Sequence, residues 1–122
     1  MKNNELRLGN LVEKYLEPQI SEWVETTVTI QTFIEIETNP NKHGYRPIQL
    51  TEEWLFKLGF EKIGSNFVIR NFFIWYSYYS KSYRLRFFLV GSDIEMFVNL
   101  DYVHDLQNLY FAITGEELTL KT

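Results

Sequence analysis

Apolar and polar positions alternate along much of this chain, and alternation at period two predicts strands. Leu6, Arg7 and Leu8 alternate ahead of a Gly9-Asn10 turn signal, and a short strand follows from Leu11 to Tyr15, before Pro18 interrupts the pattern. From Thr26 to Glu37, Val28, Ile30, Thr32, Ile34 and Ile36 share one face. Thr27, Thr29, Gln31, Glu35 and Glu37 take the other, with Phe33 the exception. This pattern predicts a half-buried antiparallel strand. Asn39-Pro40-Asn41 and Gly44 predict a loop.

Thr51 predicts the N-cap of a short helix, with Glu52 and Glu53 placed where the helix dipole favours negative charge. Trp54, Leu55 and Leu58 form its apolar stripe, and Gly59 ends it. Phe60 to Ile63 and Phe67 to Arg70 flank Gly64-Ser65-Asn66, the signature of a small hairpin. A second pair of strands runs from Phe72 to Tyr79 and from Tyr83 to Val90, joined by Ser80-Lys81-Ser82. Gly91-Ser92-Asp93 then turns into a last strand from Ile94 to Val98. Val103, Leu106, Leu109, Tyr110 and Ile113 recur at three- and four-residue spacing, predicting a helix from Tyr102 to Thr114, capped by Asp101 and closed by Gly115. Leu118 and Leu120 predict a tail docked as an edge strand. The expected class is therefore α+β: one domain over residues 1–122, with a twisted antiparallel sheet, the last helix packed on it and the short helix at an edge.

Composition adds bounds. The 122 residues are 45% hydrophobic and 17% aromatic, which excludes a disordered chain. With no cysteine there is no disulfide, thiolate metal site or cysteine nucleophile. No apolar run approaches the ~20 residues that cross a bilayer, and Met1 to Glu5 lead into no signal core. The expectation is a cytoplasmic protein without a membrane partner.

Charge sharpens the functional reading. The chain carries a net −4, yet between Lys62 and Ser92 it has no acidic residue. That stretch holds Lys62, Arg70, Lys81, Arg84 and Arg86, and about a third of it is aromatic. Basic residues interleaved with aromatic ones suit a phosphate backbone and stacked bases. Alternation puts Arg84 and Arg86 on one strand face, where they can track phosphates with Arg70 or Lys81, while Tyr76, Tyr78 and Tyr79 stack bases. Trp75 joins them as a contact residue. Tyr, Trp and Arg are also the residue types enriched at protein hot spots. The competing reading is that these aromatics simply fill the core of a small sheet. An acidic body could equally dock on the basic channel of a nucleic-acid enzyme.

Catalytic signatures do not accompany this segment. His43 and His104 belong to no metal-type cluster, and no cofactor motif is present. Glu52 with Glu53, and Asp101 with Asp105, read as charges and caps at helix starts, and Glu116 with Glu117 as a solvated tail, rather than acid–base pairs. The chain is expected to be a non-enzyme.

Three segments carry a resemblance. Asn4 to Val12 reads N-E-L-R-L-G-N-L-V, Leu50 to Phe60 reads L-T-E-E-W-L-F-K-L-G-F, and Tyr102 to Leu118 reads Y-V-H-D-L-Q-N-L-Y-F-A-I-T-G-E-E-L. Together they resemble a family of small uncharacterised proteins from phages and mobile elements of Bacteroidota. The match covers under a third of the chain and leaves the aromatic middle outside it. In size and lack of catalytic signature the chain is similar to anti-CRISPR proteins, including the type VI-B inhibitors of RNA-guided nucleases. That resemblance implies a host defence protein or ribonucleoprotein as partner. The other expectation is direct binding of single-stranded RNA or DNA.

Overall fold

The computed structural model describes residues 5–16, 22–40, 43–88 and 95–121. The architecture is α+β, with the strands shared between two antiparallel sheets. The strands are β1 (Leu11–Leu16), β2 (Glu22–Thr27), β3 (Tyr45–Pro47), β4 (Glu61–Ile63), β5 (Asn66–Ile69), β6 (Phe72–Ser77), β7 (Ser82–Phe88) and β8 (Glu95–Leu100). The helices are α1 (Ile30–Thr38), α2 (Glu52–Lys57) and α3 (Val103–Thr114). The chain divides into two compact units.

The first unit comprises Met1–Gln49 with Tyr102–Glu117. Its sheet runs β2-β1-β3, and its core gathers Leu6, Val12, Val28, Ile36 and Tyr45, with Phe33 packed against them. One expected strand is a helix here. Beyond Thr27 the chain leaves β2, and Thr29 becomes the N-cap of α1, its backbone N–H donating to Thr32 Oγ1 at 3.0 Å. An alternating apolar pattern contains a four-residue repeat, and α1 uses that repeat. Val28, Thr32 and Ile36 are buried, whereas Ile30 and Ile34 are 68% and 52% exposed. β-branched residues favour strands only weakly, so packing of the Val28-Thr32-Ile36 row decides. Glu35 on this helix accepts from the Tyr45 hydroxyl and from Lys14 Nζ at 3.3 Å. The Tyr45 hydrogen bond, joined by Lys14, holds the Glu35 carboxyl below the usual range.

Helix α3 is tied to β1 by buried polar side chains. Leu11 N–H donates to Gln107 Oε1 at 2.8 Å, and Asn10 Nδ2 donates to Asn108 Oδ1 at 2.8 Å. Asn10 Oδ1 accepts from Arg7 N–H at 2.6 Å, and Asn108 Nδ2 donates to the Glu5 carbonyl at 2.9 Å. Arg7 donates through Nε to Asn108 Oδ1 at 2.9 Å, pairs with Glu117 at 2.8 Å and lies 4.3 Å over the Phe111 ring. The helix start differs by one residue from expectation. Tyr102 is the N-cap, and its N–H donates to Asp105 at 3.2 Å. Asp101 lies ahead of the cap. Gly115 closes α3 at φ +74, a left-handed conformation that suits glycine.

The second unit comprises Leu50–Asp101 with Leu118–Thr122. Its sheet is a meander, β4-β5-β6-β7-β8. Thr51 caps α2 as expected, accepting from Trp54 N–H at 3.3 Å. The core takes Leu55, Leu58, Phe60, Phe67, Phe72, Ile74, Leu85, Phe87 and Leu100. The tail does not form an edge strand. Lys121 N–H donates to the Lys57 carbonyl at 2.6 Å and Leu118 is buried, so it is anchored beside the end of α2 instead. Strand β8 (Glu95–Leu100) runs two residues past the Val98 expected, and Ile94 lies outside the described residues. The expected Gly91-Ser92-Asp93 turn, Pro18 and Asn41 lie outside the described residues. No helix among the described residues is long and apolar enough to cross a membrane.

Asn10 is buried and bonded on both amide atoms, so truncating it empties a buried polar site and removes the acceptor of the half-buried Arg7 N–H and one donor to Asn108. Asn10→Ala is expected to destabilise the protein by about 1–3 kcal/mol, read as a lower urea midpoint. A midpoint unchanged from the parent chain would contradict the role given to this side chain.

Candidate macromolecule-binding hairpin

Strands β6 and β7 form the hairpin that the aromatic run predicts, pairing Phe72 with Phe87, Ile74 with Leu85, Tyr76 with Tyr83 and Ser77 with Ser82. But β6 ends at Ser77, so Tyr78 and Tyr79, expected in the strand, lie in the turn, and Ser82, expected in the turn, opens β7. These residue types favour a pleated, half-buried surface, which is why the run folds as strands. Alternation then splits the aromatic residues. Phe72, Ile74, Leu85 and Phe87 are buried, so for this set the core reading is correct. Tyr76 and Tyr83 continue the same face towards the tip. There β5 has already turned, because Phe67 pairs with Ile74 and Asn66 is the first β5 residue. Tyr76 is consequently 38% exposed.

The opposite face carries Phe73, Trp75, Arg84 and Arg86. Phe73 pairs with Arg86 and Trp75 with Arg84, and the Arg86 guanidinium lies 5.3 Å from the Phe73 ring centre. All four are half-buried. Ser65, Asn66, Phe73, Trp75, Tyr76 and Arg86 line a cleft of about 330 Å³.

The tip is the four-residue turn from Tyr78 to Lys81. Ser80 N–H donates to Ser77 Oγ at 3.2 Å, and the Ser80 and Ser82 hydroxyls are 3.2 Å apart. Lys81 adopts φ +56, an unusual conformation for a side chain with a Cβ. Tyr78 is 85% exposed and Tyr79 fully exposed. Tyr76 meets Tyr78 at 4.9 Å between ring centres and 79° between planes, and meets Tyr83 at 5.1 Å and 71°.

The seven candidate residues thus fall in three places. Trp75, Arg84 and Arg86 share one face. Tyr76, Tyr78 and Lys81 cluster at the tip. Arg70 stands apart in the Arg70-Asn71 connection between β5 and β6, with φ +51. Six strand residues separate it from the tip, about 20 Å at ~3.3 Å per residue. One continuous cationic track through all four bases is therefore absent.

Two residues absent from the sequence-based set also line the tip. Glu52 and Lys62 pair at 3.1 Å and, with Gly64, Ser65, Phe67, Tyr76, Tyr78 and Tyr83, border a second cleft of about 500 Å³. Burial, the Glu52 charge and the adjacent Tyr76 and Tyr78 push the Tyr83 phenol above its ordinary value. The signal that points to this corner is the run Tyr76-Ser77-Tyr78-Tyr79-Ser80-Lys81-Ser82-Tyr83, built almost wholly of tyrosine and serine.

Elsewhere, two members of the paired carboxylates are engaged in ion pairs. Glu53 meets Lys57 at 3.4 Å, and Glu117 meets Arg7. His43 Nδ1 accepts from Tyr45 N–H at 2.9 Å. His104 is buried, stacked on Tyr102 at 5.7 Å, with Asp105 at 3.5 Å and Glu5 at 3.8 Å from Nε2. Among the described residues no group of three His, Cys, Asp or Glu is placed to hold a metal ion. No family model, curated protein or solved structure matches the chain.

Two measurements test this placement. Leu85→Ala is expected to cost about 2–5 kcal/mol, because it empties a fully buried site, whereas Tyr79→Ala should stay within ~0.5 kcal/mol. Equal costs in thermal melts would refute the division between core face and tip. For His104, burial lowers the pKa in the fold and outweighs the opposite pull of Asp105 and Glu5. Above the ordinary value of 6.5 both states are neutral there, so His104 contributes no pH dependence. Below it the unfolded chain takes up a proton that the fold resists, and stability falls as pH falls. His43, also lowered by burial, contributes with the same sign. Urea midpoints at descending pH should drop below about 6.5, and His104→Gln should flatten the drop.

Proposed function

We propose that this chain is a non-enzymatic accessory protein of a phage or mobile element that binds a host macromolecule through the tip of the β6–β7 hairpin. The observation that carries the reading is the exposure of Tyr78 and Tyr79 on a turn held by serine hydroxyls. Large aromatic rings displayed to solvent on a short, braced turn are adapted to contact rather than to folding. Tyrosine supplies contact area at little conformational entropy, and serine supplies adaptable hydrogen bonds, the combination that antibody loops use.

A protein surface is the partner that this chemistry favours. Lys81 is the one charged residue between Tyr76 and Tyr83, so the tip offers little to a phosphate backbone. The resemblance to small phage-borne proteins supports a partner in the host cytoplasm, a CRISPR-type RNA-guided effector, inhibited by occupation of its surface. Direct binding of single-stranded nucleic acid is the second reading. It draws on the face shared by Trp75, Arg84 and Arg86, with Arg86 beside Phe73.

Binding of the purified chain to a type VI-B effector, the effector–guide complex and free single-stranded RNA separates the readings. The expected result is binding to an effector form that Tyr78→Ala with Tyr79→Ala weakens by at least about tenfold, the loss of two hot-spot side chains, without change in melting temperature. Binding to free RNA that falls steeply with salt and is lost in Arg84→Ala with Arg86→Ala would establish the second reading instead. Absence of binding to all three would remove both.

A further inference from the structure

We propose that the cleft bordered by Tyr76, Tyr78 and Tyr83 is a cation-binding aromatic corner that receives a lysine or arginine side chain of a protein partner. The proposal rests on the reading of the hairpin tip as a partner surface and names the chemistry that the surface recognises. Three observations carry it.

The first is the ring geometry. Tyr76 stands at 79° to Tyr78 and at 71° to Tyr83, with ring centres about 5 Å apart in both pairs. Rings this close touch edge to face and form one angular aromatic surface, and all three border the cleft. Flat bases would instead be met by parallel platforms. Aromatic walls attract a cation through the negative faces of their rings.

The second is the charge. Glu52 lines the same cleft, half-exposed, so an incoming ammonium or guanidinium meets a carboxylate as well as ring faces. The cleft of about 500 Å³ is open enough for the end of a long side chain.

The third is that a cation of the chain itself already uses the site. Lys62 Nζ lies 3.1 Å from Glu52 Oε1 and 5.6 Å from the centre of the Phe67 ring. Carboxylate and aromatic ring together hold a positive charge there. Lys62 therefore acts as an internal competitor for Glu52. This gives the site a diagnostic sign: removing Lys62 strengthens binding of a cation, whereas it weakens binding of a nucleotide or any other anion.

The test is a titration of the intact protein, followed by the NMR signals of residues 61–67 and 76–83. The probes are Nα-acetylarginine methylamide and Nα-acetyl-Nε-trimethyllysine methylamide, with Nα-acetylnorleucine methylamide as the uncharged control. The cations should shift these signals at millimolar concentration and bind about tenfold tighter than norleucine. Tyr78→Ala, at an exposed position, should weaken them by at least about fivefold, and Lys62→Met should tighten them by about threefold. Norleucine binding as tightly as the cations, a weakening on Lys62→Met, or no shift with either cation would each overturn the proposal. The outcome is separable from the hairpin reading. Loss of effector binding in Tyr78→Ala with Tyr79→Ala can stand while the small cations fail to bind.

Discussion

The first unit depends on one constraint: the side-chain amides of Asn10 and Gln107 are buried, with Asn108 half-buried beside them, and the enclosed groups must all find partners. A buried polar group left without a hydrogen bond costs more than a made bond contributes, so such a network is either complete or a liability. Here Arg7, Asn10, Leu11 and the Glu5 carbonyl meet Gln107 and Asn108, nearly a hundred residues further along the chain. Donor and acceptor directions select one seating of α3 against β1. A purely apolar contact would tolerate a rotated or shifted helix. The strand and the helix are specified jointly, and most of the chain lies between them.

How much of this was legible from the residues depends on the range of the interaction. The β6–β7 hairpin and the closure of α3 at Gly115 follow from local patterns, because alternation and a left-handed glycine are written within a few residues. Helix α1 is the instructive miss. Val28, Ile30, Thr32, Ile34 and Ile36 satisfy a strand and a helix equally, since every second step of an alternating pattern is a helical step. Only the burial of Val28, Thr32 and Ile36 against the sheet separates the two. The amide network was invisible for a different reason. Nothing in Asn10 alone announces that Asn108 will stand opposite it.

The candidate site shows a similar split. Cations close together along the sequence are not close in space. Arg70 sits at one end of β6 and Lys81 at the other, Lys62 is paired with Glu52, and Arg84 and Arg86 lie across the sheet from the Tyr76 face. A segment basic in sequence thus yields no single basic surface. Residue type alone marks the tyrosines as contact candidates, and the structure exposes Tyr76, Tyr78 and Tyr79. That Tyr76 emerges while Ile74 does not depends on where β5 ends, a length set by the Gly64-Ser65 turn.

The two roles of the hairpin occupy different residues of the same strands. Ile74, Leu85 and Phe87 anchor it, while Tyr78 to Lys81 extend past the last buried pair and are braced by serine hydroxyls. Substitutions in the turn are therefore nearly uncoupled from folding. That separation makes the turn a place where the sequence can change freely: new surfaces can be tried without endangering the scaffold. The same property recommends the turn to the engineer, as a position where a library of tyrosine- and serine-rich loops can be displayed on an unaltered frame.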